Sequence, residues 1–443
     1  MKNGWRQSFH LEPPSGWMND PNGLSWFRGK YHVYFQYVPE RADGSGGKCW
    51  GHYESPDLLR WTFTGAVLKP DHPDDRGGVY SGCGFVHGGL LHLFYTGNVK
   101  EKGDYDYITA GRQANVMHVT TPDGVTMSPK ETLLCNADYP DYCTCHVRDP
   151  KVWEEDGAFW MVLGARDRND EGCVLFCRSA DLECWTYEKT VRSPGFGYMW
   201  ECPDVIRLGG KRFLGVSPQG MEHGEFAHQN VYSAGYFRDD ALREFREWDY
   251  GFDFYAPQTF SVPDGRMLLI GWMGIGDIPY TNPTAELGWQ HCLTVPRELT
   301  EKDGIILQNP IRELERLRKD GRQIRSGNGV SVTLPCDLCL EAESEFRLAF
   351  GDLLTLERKD GVAALRFLDE KAGGGRTVRK ALCPEGSSVR ILADTSSLEI
   401  YLNGGATVLG TRFYPEDTEL MLSASGIGGT VYETDPMLLE TTP

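Results

Sequence analysis

Alternation of apolar and polar positions dominates the first three hundred residues, and it returns each time behind a turn signal. Five runs share this form: GKYHVYFQY from Gly29, GGLLHLFYTG from Gly88, DGAFWMVLGA from Asp156, GGKRFLGVS from Gly209 and DGRMLLIGWM from Asp264. A period of two, in short β-rich runs opened by Gly or Asp turns, predicts strands of hairpins. The runs begin roughly 50–70 residues apart, about the size of one four-stranded sheet with its loops. A second element repeats inside this frame, since ESPDLLRW and RSADLECW end at Trp61 and Trp185 and share S-x-D-L-x-x-W. With almost no amphipathic helix between the repeats, residues 1–308 are expected to form a five-bladed β-propeller, and the fold class is all-β. Five near-regular hairpins argue against a sandwich with coincidental turns.

Ahead of each turn lies a short apolar segment opened by a polar residue. Asp20 opens DPNGLSWFRG, Ser81 opens SGCGFVHGG, Asp149 opens DPKVWEEDG, Glu201 opens ECPDVIRLGG and Gln258 opens QTFSVPDG. If these segments are the innermost strands, Asp20, Asp149 and Glu201 meet in one central funnel. Beyond residue 308 the pattern changes. NPIRELERLRKD has charged helical composition, and 309–325 is expected to be a linker. Strand-like stretches then recur without the blade signature: SVTLPC from Ser331, AALRFL from Ala363, SVRILAD from Ser388 and LEIYLNGG from Leu398. Residues 326–443 are expected to form a β-sandwich domain. No concentration of acids, His or Cys there suggests chemistry, so its expected role is structural or accessory.

Length agrees with two domains, because 443 residues exceed what one core usually supports. The net charge of -18 argues against nucleic acid or an anionic membrane as partner. It leaves room for a small phosphorylated substrate held by a few local cations. Met1 to Gly16 lacks the apolar core of a secretory signal, and no stretch approaches a membrane-spanning length. The expectation is a cytoplasmic protein whose thirteen cysteines, an odd number, are reduced. Cys336 and Cys339 form a CxxC, and Cys143, Cys145 and His146 a CxCH, but neither has a second ligand pair at a zinc-like spacing. No metal is expected.

Three carboxylates in one funnel suit glycoside hydrolysis, which needs a general acid and a second carboxylate as nucleophile or base. Glu201 lies between Trp200 and Cys202, where desolvation favours the neutral form of an acid. Asp20 lies in WMNDPNG beside amides that can hydrogen-bond an ionised nucleophile. Asp149 follows Arg148, a cation expected to keep it ionised. Alone, Asp-Pro-Asn-Gly is a turn, Arg-Asp-Pro a surface turn, and Glu beside Trp an interface residue. In phase with the repeat, the catalytic reading prevails.

These residues also carry a resemblance. WMNDPNG (Trp17 to Gly23), RDP (Arg148 to Pro150) and the EC pair Glu201 and Cys202 resemble the three acidic motifs of glycoside hydrolase family 32. WGHYESPDLLRW (Trp50 to Trp61), FYAPQTF (Phe254 to Phe260) and VPREL (Val295 to Leu299) resemble further stretches of the same family. The family contains invertases, sucrose-6-phosphate hydrolases and fructan-degrading fructosidases. The resemblance implies a propeller joined to a sandwich, retaining hydrolysis of a β-fructofuranoside, and no metal or organic cofactor. It implies Asp20 as nucleophile, Glu201 as acid/base and Asp149 as transition-state stabiliser. Asn19, Gln36, Tyr80, Ser81 and Arg148 are implied to line the fructosyl subsite. Trp50, Cys202, Tyr255, Gln258 and Trp272 are further candidate substrate-binding residues.

One stretch departs from the family. Many members carry a Trp shortly before the WGH segment, where this chain has PERADGSGGKC (Pro39 to Cys49). Loss of that aromatic platform argues against long fructans and is compatible with a short or phosphorylated sugar. Lys48, His52, Arg166, Arg168 and His223 are candidate phosphate ligands. Transfer of fructosyl to a sugar, or hydrolysis of short fructo-oligosaccharides, uses the same triad. A non-catalytic sugar-binding propeller is disfavoured because none of the three carboxylates is missing. A homodimer is a further possibility, by analogy alone.

Overall fold

The computed structural model describes residues 5–238, 242–278, 280–384 and 386–442. Every run that follows a turn signal forms the second strand of a sheet: Lys30–Val38, Leu90–Lys100, Ala158–Asp167, Lys211–Gln219 and Met267–Trp272. Each pairs antiparallel with the segment before it, which is the sheet's first strand: Gly16–Phe27, Val79–His87, Cys143–Glu155, Met199–Leu208 and Tyr255–Ser261. The sheets begun by Val79, Cys143, Met199 and Tyr255 have four strands each. The sheet begun by Gly16 has six, because Trp289–Gln290 and Leu438–Thr441 join it in parallel at opposite edges. First strands touch one another in chain order, and Tyr255–Ser261 returns to Gly16–Phe27, giving a propeller-like ring.

The S-x-D-L-x-x-W repeat is one turn built twice. Ser55 Oγ accepts the N–H groups of Asp57 and Leu58, and Trp61 Nε1 donates to the Leu58 carbonyl at 3.0 Å. Ser179, Asp181, Leu182 and Trp185 repeat every bond. Short side chains that bond their own backbone stabilise such turns.

All five first strands are interrupted at the same place. Between Met18 and Pro21, Val79 and Gly82, Arg148 and Lys151, Glu201 and Asp204, and Tyr255 and Gln258, two residues oppose one on the second strand. A two-against-one bulge bends a strand and re-aims its side chains. Pro150, Pro203 and Pro257 lie inside bulges, where a missing N–H costs no ladder bond. The residues before them, Asp149, Cys202 and Ala256, have φ of 63°, 46° and 49°, a region strained for any side chain with a Cβ.

The charged segment after residue 308 contains the 3-10 helix Arg312–Leu317, and Arg318–Ile324 then pairs with Glu419–Thr434 of the C-terminal domain. That domain is one sandwich-like ten-stranded sheet folded over a core that includes Leu338, Leu348, Leu356, Ile391 and Ile400. The two domains share buried charge. His10, fully buried, meets Asp394 through Nδ1 at 2.8 Å and Glu399 through Nε2 at 2.9 Å. Arg297 bridges Glu399 and Asp249. The chain's ends also cross over: Trp5 Nε1 donates to the Pro415 carbonyl and Ser8 N–H to Asp394, while Leu438–Thr441 pairs with Arg60–Phe63. No helix among the described residues is long and apolar enough to cross a membrane.

Candidate active site

The bulges of the first strands open onto one cavity of about 230 Å³, lined by Asp20, Asp149 and Glu201 together. Asn19, Gln36, Tyr80, Ser81, Arg148, Tyr255 and Trp272 line it as well. The three carboxylates do not occupy one repeated position. Asp20 and Ser81 are the second residues of their bulges and Asp149 is a first residue, whereas Glu201 immediately precedes its bulge. Convergence therefore comes from the bend of each strand, not from equal spacing to the turn.

Asp20 sits in a net of donors. Ser81 Oγ donates to its Oδ2, and Asn19 Nδ2 donates to its Oδ1 at 3.0 Å. Gln36 accepts from Asn19 at 2.9 Å and donates to Ser81 at 2.6 Å, so one amide orders both donors. Trp17 Nε1 and Lys48 Nζ in turn donate to Asn19 Oδ1 at 2.8 and 3.0 Å. A carboxylate given donors on both oxygens is fixed in position while one face stays open, as a nucleophile requires.

Glu201 alternates with Trp200 and Cys202, whose side chains enter separate cores on the other side of the strand. Its own carboxylate stays in the cavity. Gln219 and Tyr255 donate to Oε2 at 2.8 and 2.7 Å, and Arg148 Nε lies 3.4 Å from Oε1. Asp149 is the most buried of the three carboxylates. Asp149 is buried, and burial, followed by the facing Glu201 carboxylate, pushes its carboxyl well above the usual range. The Arg148 charge and the Cys202 N–H, which donates at 2.9 Å, pull the other way and do not offset it. Arg148 does favour the ionised form of Asp149, as expected, but burial and Glu201 outweigh it.

Three sequence candidates stand behind the cavity wall. Trp50 is fully buried and donates to the Tyr80 carbonyl at 3.1 Å. Cys202 lies beneath Asp149, and Gln258 donates to the Gly82 carbonyl at 2.9 Å across to the Val79–His87 strand. They brace the lining rather than form it. Of the phosphate candidates, only Lys48 lines the cavity. His52 is buried between His32 and Thr64, Arg166 pairs with Asp170 over the Tyr198 ring, Arg168 bonds the Asp141 carbonyl, and His223 is exposed.

Sequence reading missed Gln219, Tyr232 and Asp277 as lining residues. Gln219 was within reach: counting the hairpin outward from Gly209 and Gly210 puts Pro218 opposite Glu201 and Gln219 next to it, and the bulge at Cys202 and Pro203 shifts the partner by one, to Ser217. Tyr232 and Asp277, joined by a hydrogen bond, come from irregular segments with no pattern to mark them. All thirteen cysteines are free thiols, and no group of three or more His, Cys, Asp or Glu among the described residues is arranged to hold a metal.

Comparison with known proteins gives matches over the whole chain. The sequence model described as "Glycosyl hydrolases family 32 N-terminal domain" matches residues 10–310, and that of the family's C-terminal domain matches 363–434. The chain is 36% identical to a sucrose-6-phosphate hydrolase of Bacillus subtilis, over 96% of this chain and 92% of that protein. It is 36% identical to a raffinose invertase of Escherichia coli, over 98% and 95%. A mutant of the Bombyx mori β-fructofuranosidase solved in complex with sucrose superposes with a TM-score of 0.85 at 30% identity, over 98% and 95% of the two chains. A sucrose-6-phosphate hydrolase of Lactobacillus gasseri gives 0.87 at 27% identity, over 98% and 94%.

Proposed function

The chain belongs to glycosyl hydrolase family 32 and is a glycoside hydrolase acting on β-fructosides; from that premise we propose that it is a retaining β-fructofuranosidase that releases fructose from sucrose or sucrose 6-phosphate. The observation that carries this is the meeting of Asp20, Asp149 and Glu201 in one small cavity, each with a different set of partners.

The roles follow from those partners. Asp20, held by Ser81 and Asn19, attacks C2 of the fructofuranosyl unit while Glu201 gives a proton to the departing glycosidic oxygen. Cleavage of the C2–O bond leaves fructose esterified to Asp20. Asp149, anchored by Cys202 N–H, accepts bonds from ring hydroxyls as positive charge develops. Glu201 then takes a proton from water, which attacks C2, and fructose leaves with its β-configuration. Asn19, Gln36, Tyr80, Ser81 and Arg148 hold the fructosyl unit. Tyr255 and Gln219 fix the acid/base, and Trp272 faces Trp17 across the floor at 6.0 Å.

The six-stranded sheet is taken as the fifth blade, with the division between propeller and sandwich in 309–325. A cytoplasmic setting is supported by the thirteen free thiols and by relatives that act on a phosphorylated sugar. Short substrates suit the cavity, because the loop from Pro39 to Cys49 brings Gly44, not an aromatic, against Trp17. The testing experiment is hydrolysis of sucrose and sucrose 6-phosphate with the product anomer followed by NMR. β-Fructofuranose as the first product supports the reading, and an inverted first product overturns it. Trisaccharide dominating over free fructose at high sucrose identifies a transferase instead.

A further inference from the structure

Glu201 has two unlike flanks. On the Oε2 side stand Gln219 and Tyr255, with Tyr232 and Asp277 beyond them at the rim, and none of these lining residues is a cation. On the Oε1 side stands Arg148, and behind it a run of positive charge. Arg148 Nη2 donates to His146 Nδ1, and Arg112 Nη1 lies 3.3 and 3.1 Å from the two nitrogens of the same ring. His146 Nε2 faces the Tyr107 carbonyl at 3.0 Å, so Nε2 carries the proton and Nδ1 is left to accept. The imidazole is therefore a neutral spacer between two guanidinium groups. Burial, then Arg148 and Arg112, keeps it far below its ordinary range. Lys100 stands directly opposite Arg112 on the adjoining strand.

The charges of this run are unspent. Other buried arginines use their donors on carboxylates, as Arg297 does on Asp249 and Glu399, or on carbonyls, as Arg358 does on Glu343, Ser344 and Gly386. Arg112 does neither, and its buried Nε has no partner among the described residues. Arg148, partly buried in the cavity wall, likewise has an Nε without a hydrogen bond among the described residues, its nearest carboxylate oxygen being Glu201 Oε1 at 3.4 Å. Exposed Lys100 lies over the Tyr107 ring at 5.4 Å and has no ion pair among the described residues. The neighbouring carboxylate, Glu101, is turned away to Arg76 and Gln113. A chain of net charge -18 thus gathers three cations on one side of its acid/base, and among the described residues no carboxylate pairs with Arg112 or Lys100. Burying a guanidinium without a counter-ion is costly unless a ligand completes it.

We infer that Lys100 and Arg112 form the anion-recognition wall for the leaving group, taking a phosphate carried by the departing sugar. The inference rests on the fructosidase reading, because it is Glu201's proton transfer that fixes which flank the leaving group occupies. Arg112 and Lys100 stand behind Arg148, outside the lining itself, whereas Lys48, which with Arg148 supplies the lining's cations, is committed to Asn19 on the nucleophile's side. Arg112 offers the phosphate a guanidinium bonded only to the neutral His146 ring among the described residues, and Lys100 adds a mobile point charge.

The test is the ratio of kcat/KM for sucrose 6-phosphate to that for sucrose, in wild type, Lys100→Ala and Arg112→Gln, with glucose 6-phosphate and glucose as paired inhibitors. The expected wild-type ratio is tenfold or more, falling about tenfold in each variant, with inhibition by glucose 6-phosphate weakened and that by glucose unaltered (about 1.4 kcal/mol per tenfold). Lys100→Ala changes an exposed side chain and keeps the test valid should Arg112→Gln disturb His146. Equal rates on both sugars in the wild type, or a ratio that survives both substitutions, overturns this inference and leaves the fructosidase standing. No fructose released from either sugar overturns the fructosidase itself.

Discussion

The Asp149 carboxylate accepts the backbone N–H of Cys202 at 2.9 Å, so the bulge of one first strand anchors the carboxylate in the bulge before it. Cys202 makes this bond from φ 46°. A β-branched side chain is poorly tolerated there. Cys202→Val is expected to lose about 1–3 kcal/mol of stability and most activity. Cys202→Ala, which keeps the backbone, should retain far more. Thermal melts beside sucrose kinetics decide it, and a fully active, equally stable Val variant refutes the anchoring role.

Asp149 should show the opposite signs for stability and catalysis. Its carboxyl is raised by burial, so above the ordinary carboxylate range the folded state holds a buried group it would rather keep protonated. Stability from this group is full below the unfolded value and falls as pH rises through the native one. Asp149→Asn is therefore expected to melt higher than wild type at neutral pH, with the gap closing toward pH 4. The same variant should lose roughly 10²–10³ in kcat. A melt at pH 7 below that of wild type contradicts the account.

Gly44 has φ 72°, and a Cβ there would lie 2.7 Å from the Trp17 indole. Trp17 holds Asn19, and Asn19 holds Asp20. Gly44→Ala should cost about 1–2 kcal/mol through the left-handed backbone alone. Its activity should fall further than its stability, as the indole is pushed from Asn19. Comparable activity per folded molecule would disconnect the loop from the nucleophile.

His10 ties the domains through charge. Its pKa is raised to about 9; burial alone would lower it, but the bonds and charges of Asp394 and Glu399 more than reverse that. A raised histidine stabilises fully below its ordinary 6.5 and loses that contribution as pH climbs through about 9. Glu399, whose burial is outweighed by Arg297 and His10, is held down to about 2, so its contribution fades as pH falls below 4.5. Stability should therefore plateau between these limits. His10→Gln should remove the alkaline slope and cost about 3–5 kcal/mol, because two buried carboxylates lose a cation. Denaturant melts across pH test both the slope and the size.

Alternation and turns made the hairpins legible, since GKYHVYFQY and its four counterparts are second strands in every case. The carboxylates were legible because each opens the segment ahead of a turn, in phase with the repeat. The reading took them as segment openings and so missed why they converge. Asp149's burial was not legible, because it depends on neighbouring sheets rather than on Arg148 beside it. Tyr232 and Asp277 left no trace, as irregular segments carry no period. Arg318–Ile324 read as part of a linker, since its exposed, charged residues hide its pairing with Glu419–Thr434.

The crossing of the chain's ends has a consequence for how this protein comes apart. The segment from Trp5 to His10 is bonded into the sandwich, and the last strand lies along the outer edge of the first sheet. Severing the chain near Arg312–Leu317 would not yield two modules. One half would keep an open strand edge, a template for aggregation, and the other would lose the cation that neutralises Asp394 and Glu399. The pair is held as two hands clasped rather than two beads on a string, and its unfolding should be a single cooperative event.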